Sequence, residues 1–158
     1  MEKRFLRANN HGEIEHTEKH GDMVTQKGIN ELSYKIIGCA IEVHKHLGSG
    51  LLESVYEECL IEEMMCIGLN VKSQIAVPIN YKSKKLGTPL KLDILVNDTI
   101  ILELKAVEVV LPVHKAQLIS YLKLSQKSKG LLINFHCENI SNNAISLVTE
   151  EFAKIPNK

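Results

Sequence analysis

The chain has 158 residues, 44% hydrophobic and 24% charged, with a formal net charge of zero. That is enough for one globular domain with its own core, and it excludes a collagenous, membrane-embedded or highly charged disordered chain. Zero net charge gives no whole-molecule nucleic-acid signature, and 4% aromatics with no Trp argues against a stacking platform for single strands.

Residues 1–28 are polar and lack an apolar period, so they read as a flexible tail ahead of a single domain over 29–158. The tail carries His11, His16 and His20 at spacings that suit no common metal site. It lacks the apolar run of a signal peptide. No segment reaches the ~20 apolar residues of a membrane span.

Leu32, Ile36, Ala40, Val43 and Leu47 predict a first helix over about Glu31–His46, stopped by Gly48-Ser49-Gly50. A second helix is expected over about Leu52–Cys66 on a Leu52, Val55, Cys59 and Leu60 stripe. The period then switches to two. Val71, Ser73, Ile75, Val77 and Ile79 predict a strand to about Tyr81. Lys82–Pro89 reads as a polar turn. Leu90–Val96 and Thr99–Lys105 read as a hairpin, turning at Asn97-Asp98.

Pro112 suits the first turn of a third helix, expected over about Val113–Leu124. Gly130 opens an apolar strand through Phe135, and a last strand is expected over Ala144–Val148. The order is ααβββαββ, an α/β fold with a central mixed sheet flanked by helices. Cys39, Cys59, Cys66 and Cys137 form no C-x-x-C pair. They read as free thiols in a reducing, cytoplasmic setting.

The chemistry concentrates on the hairpin. Side chains alternate along a strand, so Glu103 and Lys105 share one face, and the turn brings Asp93 beside Glu103. Two carboxylates and a lysine on one face can hold a divalent metal and activate a water for phosphodiester cleavage. A structural ion pair is the alternative. Flanking Leu102 and Leu104 favour the functional reading, because charges in an apolar setting need a partner or a metal.

Gly50, Glu53 and Tyr56 come second. Glu53 and Tyr56 are neighbours in the first turn of the second helix, where Glu53 either serves the helix dipole or reaches the sheet as a further ligand. Gln117 and Tyr121, four apart, share a face of the third helix, as site-directed tips or as a surface Gln and a packed Tyr. Lys82, Lys84, Lys85 and Lys91 form one basic stretch, and Lys115, Lys123, Lys127 and Lys129 another. Such runs are solvated faces or guides for a phosphate backbone.

The Gly50…Glu53…Tyr56 spacing, the run Val43–Leu60, the run Leu92–Glu108 and the run Gln117–Ser125 resemble the GxxExxY protein family of the PD-(D/E)xK nuclease superfamily. The resemblance covers roughly Leu32 to Phe135 and implies a restriction-endonuclease-like core. It implies that Asp93 and Glu103 are catalytic metal ligands, with Glu53 a further acid and the Leu104 carbonyl an added ligand. It makes Lys105 the group that positions or deprotonates the water. Gln117, Tyr121 and Tyr56 would support the site. Leu92 stands where the name-giving Pro would be.

The first reading is therefore a Mg²⁺- or Mn²⁺-dependent nuclease, since hard oxygen ligands favour those ions over zinc. Lys84, Lys85, Lys91, Lys115 and Lys123 would contact nucleic acid, and the family analogy favours DNA over RNA. The alternative is a non-catalytic module that binds nucleic acid or protein and keeps the nuclease fold. A homodimer or larger assembly suits small nucleases that need two sites for two strands. The sequence itself shows no interface.

Overall fold

The structure, a computed structural model, describes residues 24–158. His11, His16, His20 and most of the expected tail lie outside them. Helix α1 (Gln26–Leu47) begins five residues before the expected Glu31, because the Thr25 hydroxyl caps it by accepting from the Gly28 N–H. Its buried stripe runs Ile29, Ser33, Ile36, Ala40 and Val43. Ser33 enters an apolar stripe by donating its hydroxyl to the Ile29 carbonyl at 2.9 Å. That polar position hid the first turn from an apolar count.

Helix α2 (Glu53–Cys66) buries Tyr56, Leu60 and Met64, spaced by four. The expected stripe is corrected here: Leu52 is 73% exposed and Val55 37% exposed. Strand β1 (Val71–Val77) stops at Pro78, which has no N–H for the ladder. The expected continuation to Tyr81 forms a separate ribbon instead, β2 (Asn80–Tyr81) paired with β3 (Lys84–Lys85). The hairpin strands β4 (Leu90–Val96) and β5 (Ile100–Lys105) follow. Next come α3 (Pro112–Leu124), β6 (Lys129–Asn134), a short α4 (Ile140–Asn143), β7 (Ile145–Val148) and a short α5 (Glu150–Lys154). The two short helices were not foreseen.

The main sheet has the order β1-β4-β5-β6-β7, antiparallel except for the parallel β5–β6 pair. It is the expected mixed sheet, with β5 in the middle. One face packs Ile94, Val96, Ile100, Leu102, Leu104, Leu131 and Ile133 against α1 and α2. The other packs Leu95, Ile101 and Leu132 against Leu118 and Leu122 of α3. Gly130 permits that second contact: a Cβ there would meet Leu118 Cδ1 at 2.9 Å. Among the described residues, no helix is long and apolar enough to cross a membrane.

Strands β1 and β4 change faces partway along. Leu90 and Leu92 pack on the α3 side, whereas Ile94 and Val96 pack on the α1–α2 side. In β1, Val71 belongs to the α1–α2 side and Ile75 and Val77 to the α3 side. The expected single-face alternation of β1 is thus broken. The break falls on one rung: Ser73 pairs with Ile94 and Ile75 with Leu92, leaving Gln74 opposite Asp93 unpaired. Gln74 has φ 52°, in the left-handed region that a non-glycine residue seldom enters.

Candidate active site

Asn97 and Asp98 have φ 49° and 55°, the Thr99 N–H donates to the Val96 carbonyl at 2.9 Å, and three residues, Asn97 to Thr99, join the strands. The turn sets the register Val96↔Ile100, Leu95↔Ile101 and Ile94↔Leu102. The next rung would place Asp93 opposite Glu103, as the sequence implied. Pairing ends before it. The Leu104 N–H donates to Asp93 Oδ2 at 2.9 Å, so a side chain takes the place of a main-chain acceptor between β4 and β5.

Glu103 is 2% exposed. It alternates with Leu102 and Leu104, so it points to the side that α3 covers. Its Oε1 accepts from Lys105 Nζ at 2.7 Å, while its Oε2 is buried without a hydrogen-bond partner. Lys105 lies in register with Asn134 of β6. Glu53 opens α2, and the Ala106 backbone just beyond β5 lowers its carboxyl. Four expected residues from three separate elements therefore meet at the end of one central strand.

The electrostatics fit a crowded acidic site. Burial pushes all three carboxyls above their ordinary range. The Asp93 charge raises Glu53 and Glu103 further, and Glu57 also raises Glu53. The Leu104 N–H, Lys105 and Lys91 offset part of this at Asp93. Burial alone would lower the Lys105 ammonium. Its bond to Glu103 and the charges of Glu103, Glu53 and Asp93 outweigh that and hold it above its usual value. Three acids against one lysine leave a demand for positive charge.

That demand and the donor set fit a hard divalent cation, since all three side chains offer carboxylate oxygens. The unpartnered, buried Glu103 Oε2 is a vacant acceptor of the same kind. Among the described residues, no three His, Cys, Asp or Glu side chains are grouped so that they could hold a metal ion as they stand. The acids sense one another without yet converging on one point.

The remaining expected residues divide. Tyr56 is fully buried and belongs to the frame. Its hydroxyl donates to the Gly48 carbonyl at 2.6 Å and accepts from the Leu51 N–H at 3.2 Å. Its ring stacks on Phe135 at 4.4 Å. It latches the glycine loop that delivers Glu53. Gln117 donates to the Tyr121 hydroxyl at 2.5 Å, so the two pair with each other on α3. Lys84, Lys85, Lys91, Lys115 and Lys123 are exposed. Lys91 is near enough to lower Asp93. Lys123 lines a cleft of about 910 Å³ with Lys127, Asp98 and Thr99, at the turn end of the hairpin. Five to seven residues along a strand separate that end from Asp93 and Lys105, roughly 15–25 Å at strand rise.

Asn134 was missed. It is 6% exposed and clamps the segment after β5, accepting from the Val107 N–H at 3.1 Å and donating to the Val107 carbonyl at 2.7 Å. A lone amide in the run Leu131-Leu132-Ile133-Asn134-Phe135 was the available signal.

A family model described as the PD-(D/E)XK nuclease superfamily matches residues 30–146. No curated protein sequence matches the chain. One similar solved structure is described as "Crystal structure of SSO0001", with 21% identity and a TM-score of 0.49. The alignment covers 78% of this chain and spans 62% of the length of that one. The family match and the mixed sheet flanked by helices agree on a restriction-endonuclease-like core.

Proposed function

The chain belongs to the PD-(D/E)XK nuclease superfamily, and from that premise we propose that it is a nuclease dependent on Mg²⁺ or Mn²⁺, acting on DNA rather than RNA. The observation that carries the reading is the meeting of Glu53, Asp93, Glu103 and Lys105 at the end of β5, with burial raising every carboxyl. The Gly50, Glu53 and Tyr56 spacing supports placement in the GxxExxY subgroup.

In this reading Asp93, Glu103 and Glu53 hold the cation through carboxylate oxygens. Leu104 adds its carbonyl, since a strand residue turns its N–H and carbonyl to the same neighbour and its N–H already faces Asp93. A divalent ion held there lowers the pKa of water and offsets charge gathering on the phosphate. Lys105 remains an ammonium at neutral pH, because the surrounding acids raise it. Its role is then to donate a hydrogen bond that orients the attacking water and to stabilise the pentavalent phosphate, rather than to take a proton. Asn134 keeps the chain after Lys105 from moving. Gln117 and Tyr121 support the α3 side of the site.

The test is cleavage by the purified protein and by Lys105→Ala, on single- and double-stranded DNA and on RNA, with Mg²⁺, Mn²⁺ or EDTA. Metal-dependent cutting that falls at least ~100-fold in the folded variant supports the mechanism. Equal cutting by parent and variant overturns it. No cutting on any substrate favours a binding module that keeps the fold.

A further inference from the structure

The geometry points to Gln74 as a positioning residue for Asp93, acting through its left-handed backbone rather than through its side chain. The inference rests on the reading of Asp93 as a metal ligand. Gln74 and Asp93 occupy the one rung omitted from an otherwise continuous β1–β4 ladder with constant register. On both strands the packing faces exchange across that rung. The exchange requires one residue on the edge strand to leave extended conformation, and Gln74 does so at φ 52°. Without it, Asp93 would continue the alternation of Leu90 and Leu92 and meet β5 with main chain. With it, the Asp93 carboxylate reaches between the strands to the Leu104 N–H at 2.9 Å.

The Gln74 side chain is exposed, with its amide 2.8 and 2.9 Å from the two carboxylate oxygens of Glu57. Truncation therefore leaves no cavity, and Gln74→Gly and Gln74→Val lose that amide equally. They differ from the parent in opposite senses at φ 52°: Gly enters it freely, whereas a β-branched residue resists it more than Gln does. Comparing the two isolates the backbone.

The experiment uses the full chain and two readouts. The first is the Leu104 amide in ¹H–¹⁵N spectra, its shift and its hydrogen-exchange protection, which needs neither metal nor activity. The second is Mn²⁺ affinity by calorimetry. Gln74→Gly is expected to keep the Leu104 signature and to bind Mn²⁺ within about twofold of the parent, since Gly enters the left-handed region freely. Gln74→Val is expected to lose Leu104 protection and to bind Mn²⁺ roughly 5- to 30-fold more weakly, because a β-branched side chain at φ 52° carries a cost that the parent Gln does not. If Gln74→Val melts lower yet keeps the Leu104 signature, the role is merely structural and the inference falls. It falls equally if both variants lose the signature. A parent that binds no Mn²⁺ overturns the metal-site reading instead, and the Leu104 readout still decides the positioning claim.

Discussion

Glu103 shows at a single residue what a buried, half-paired acid means for stability. It is nearly inaccessible, one oxygen is tied to Lys105, and the other has no partner. Burial raises its carboxyl above the ordinary range, as it does for Asp93 and Glu53. A raised carboxyl holds its proton more tightly in the folded state. Its stabilising effect is complete below the ordinary carboxylate range and is lost as pH rises through the raised value. The metal-free protein is therefore expected to lose stability as pH rises above the ordinary carboxylate range, read as a falling urea midpoint. The fall should be smaller in Glu103→Gln. Saturating Mn²⁺ should reverse the ranking: the parent gains about 2.7 kcal/mol at 100 times its dissociation constant, while the variant gains less. Matching thermal shifts in parent and variant would remove Glu103 from the ligand set.

At the level of elements, the acid on α2 depends on the loop before it. Gly48 and Gly50 take φ 68° and 98°, and the Tyr56 hydroxyl ties both sides of that loop together. Tyr56→Phe keeps the stacked ring but frees the Gly48 carbonyl and the Leu51 N–H. A cost of about 1 kcal/mol is expected, a melting shift of roughly 2–4 °C for a chain of this size. Cleavage should fall further than that stability loss explains, because the loop that delivers Glu53 is no longer latched. Unchanged activity with a lowered melting point would confine Tyr56 to the core.

The same elements show what could be read from residues alone. Asn97-Asp98 between two apolar runs, and Glu103-Leu104-Lys105 after them, led to the hairpin, the shared face and the register. Those are local patterns with one physical solution. The stripe of α2 was misread because Tyr56 looks like a site residue, while Leu52 and Val55 look like core. Which of them is buried is decided by Phe135, nearly eighty positions away. The face exchange at Gln74 left no mark, since period two continues unbroken in Val71, Ser73 and Ile75. Asn134 was hidden for a similar reason, its partners lying across a crossover at Val107.

For the whole molecule, zero net charge means that any hold on a phosphate backbone comes from local lysines. Lys84 and Lys85 on the β2–β3 ribbon, and Lys91 on the strand of Asp93, form the group nearest the acids in sequence. Each phosphate contact removed should flatten the dependence of log affinity on log salt by about 0.9 for duplex DNA. Lys84→Ala with Lys85→Ala should lower the slope by ~2, whereas Lys123→Ala, at the turn end of the hairpin, should leave it unchanged. An equal change for Lys123 would place the nucleic acid along α3 instead.

The parallel β5–β6 pair has a consequence in time as well as space. All four groups of the site precede residue 106, so a growing chain carries them before β6 exists. Until α3 has formed and β6 has returned along β5, Lys105 belongs to an outer strand with no Asn134 clamp. Such a long-range parallel pairing is slow to form, because loop closure comes before its reward. The acids and the lysine are thus assembled only when the last third of the domain closes over them. A nascent or half-unfolded copy holds these groups apart, so the proposed phosphodiester chemistry would be withheld until folding is complete.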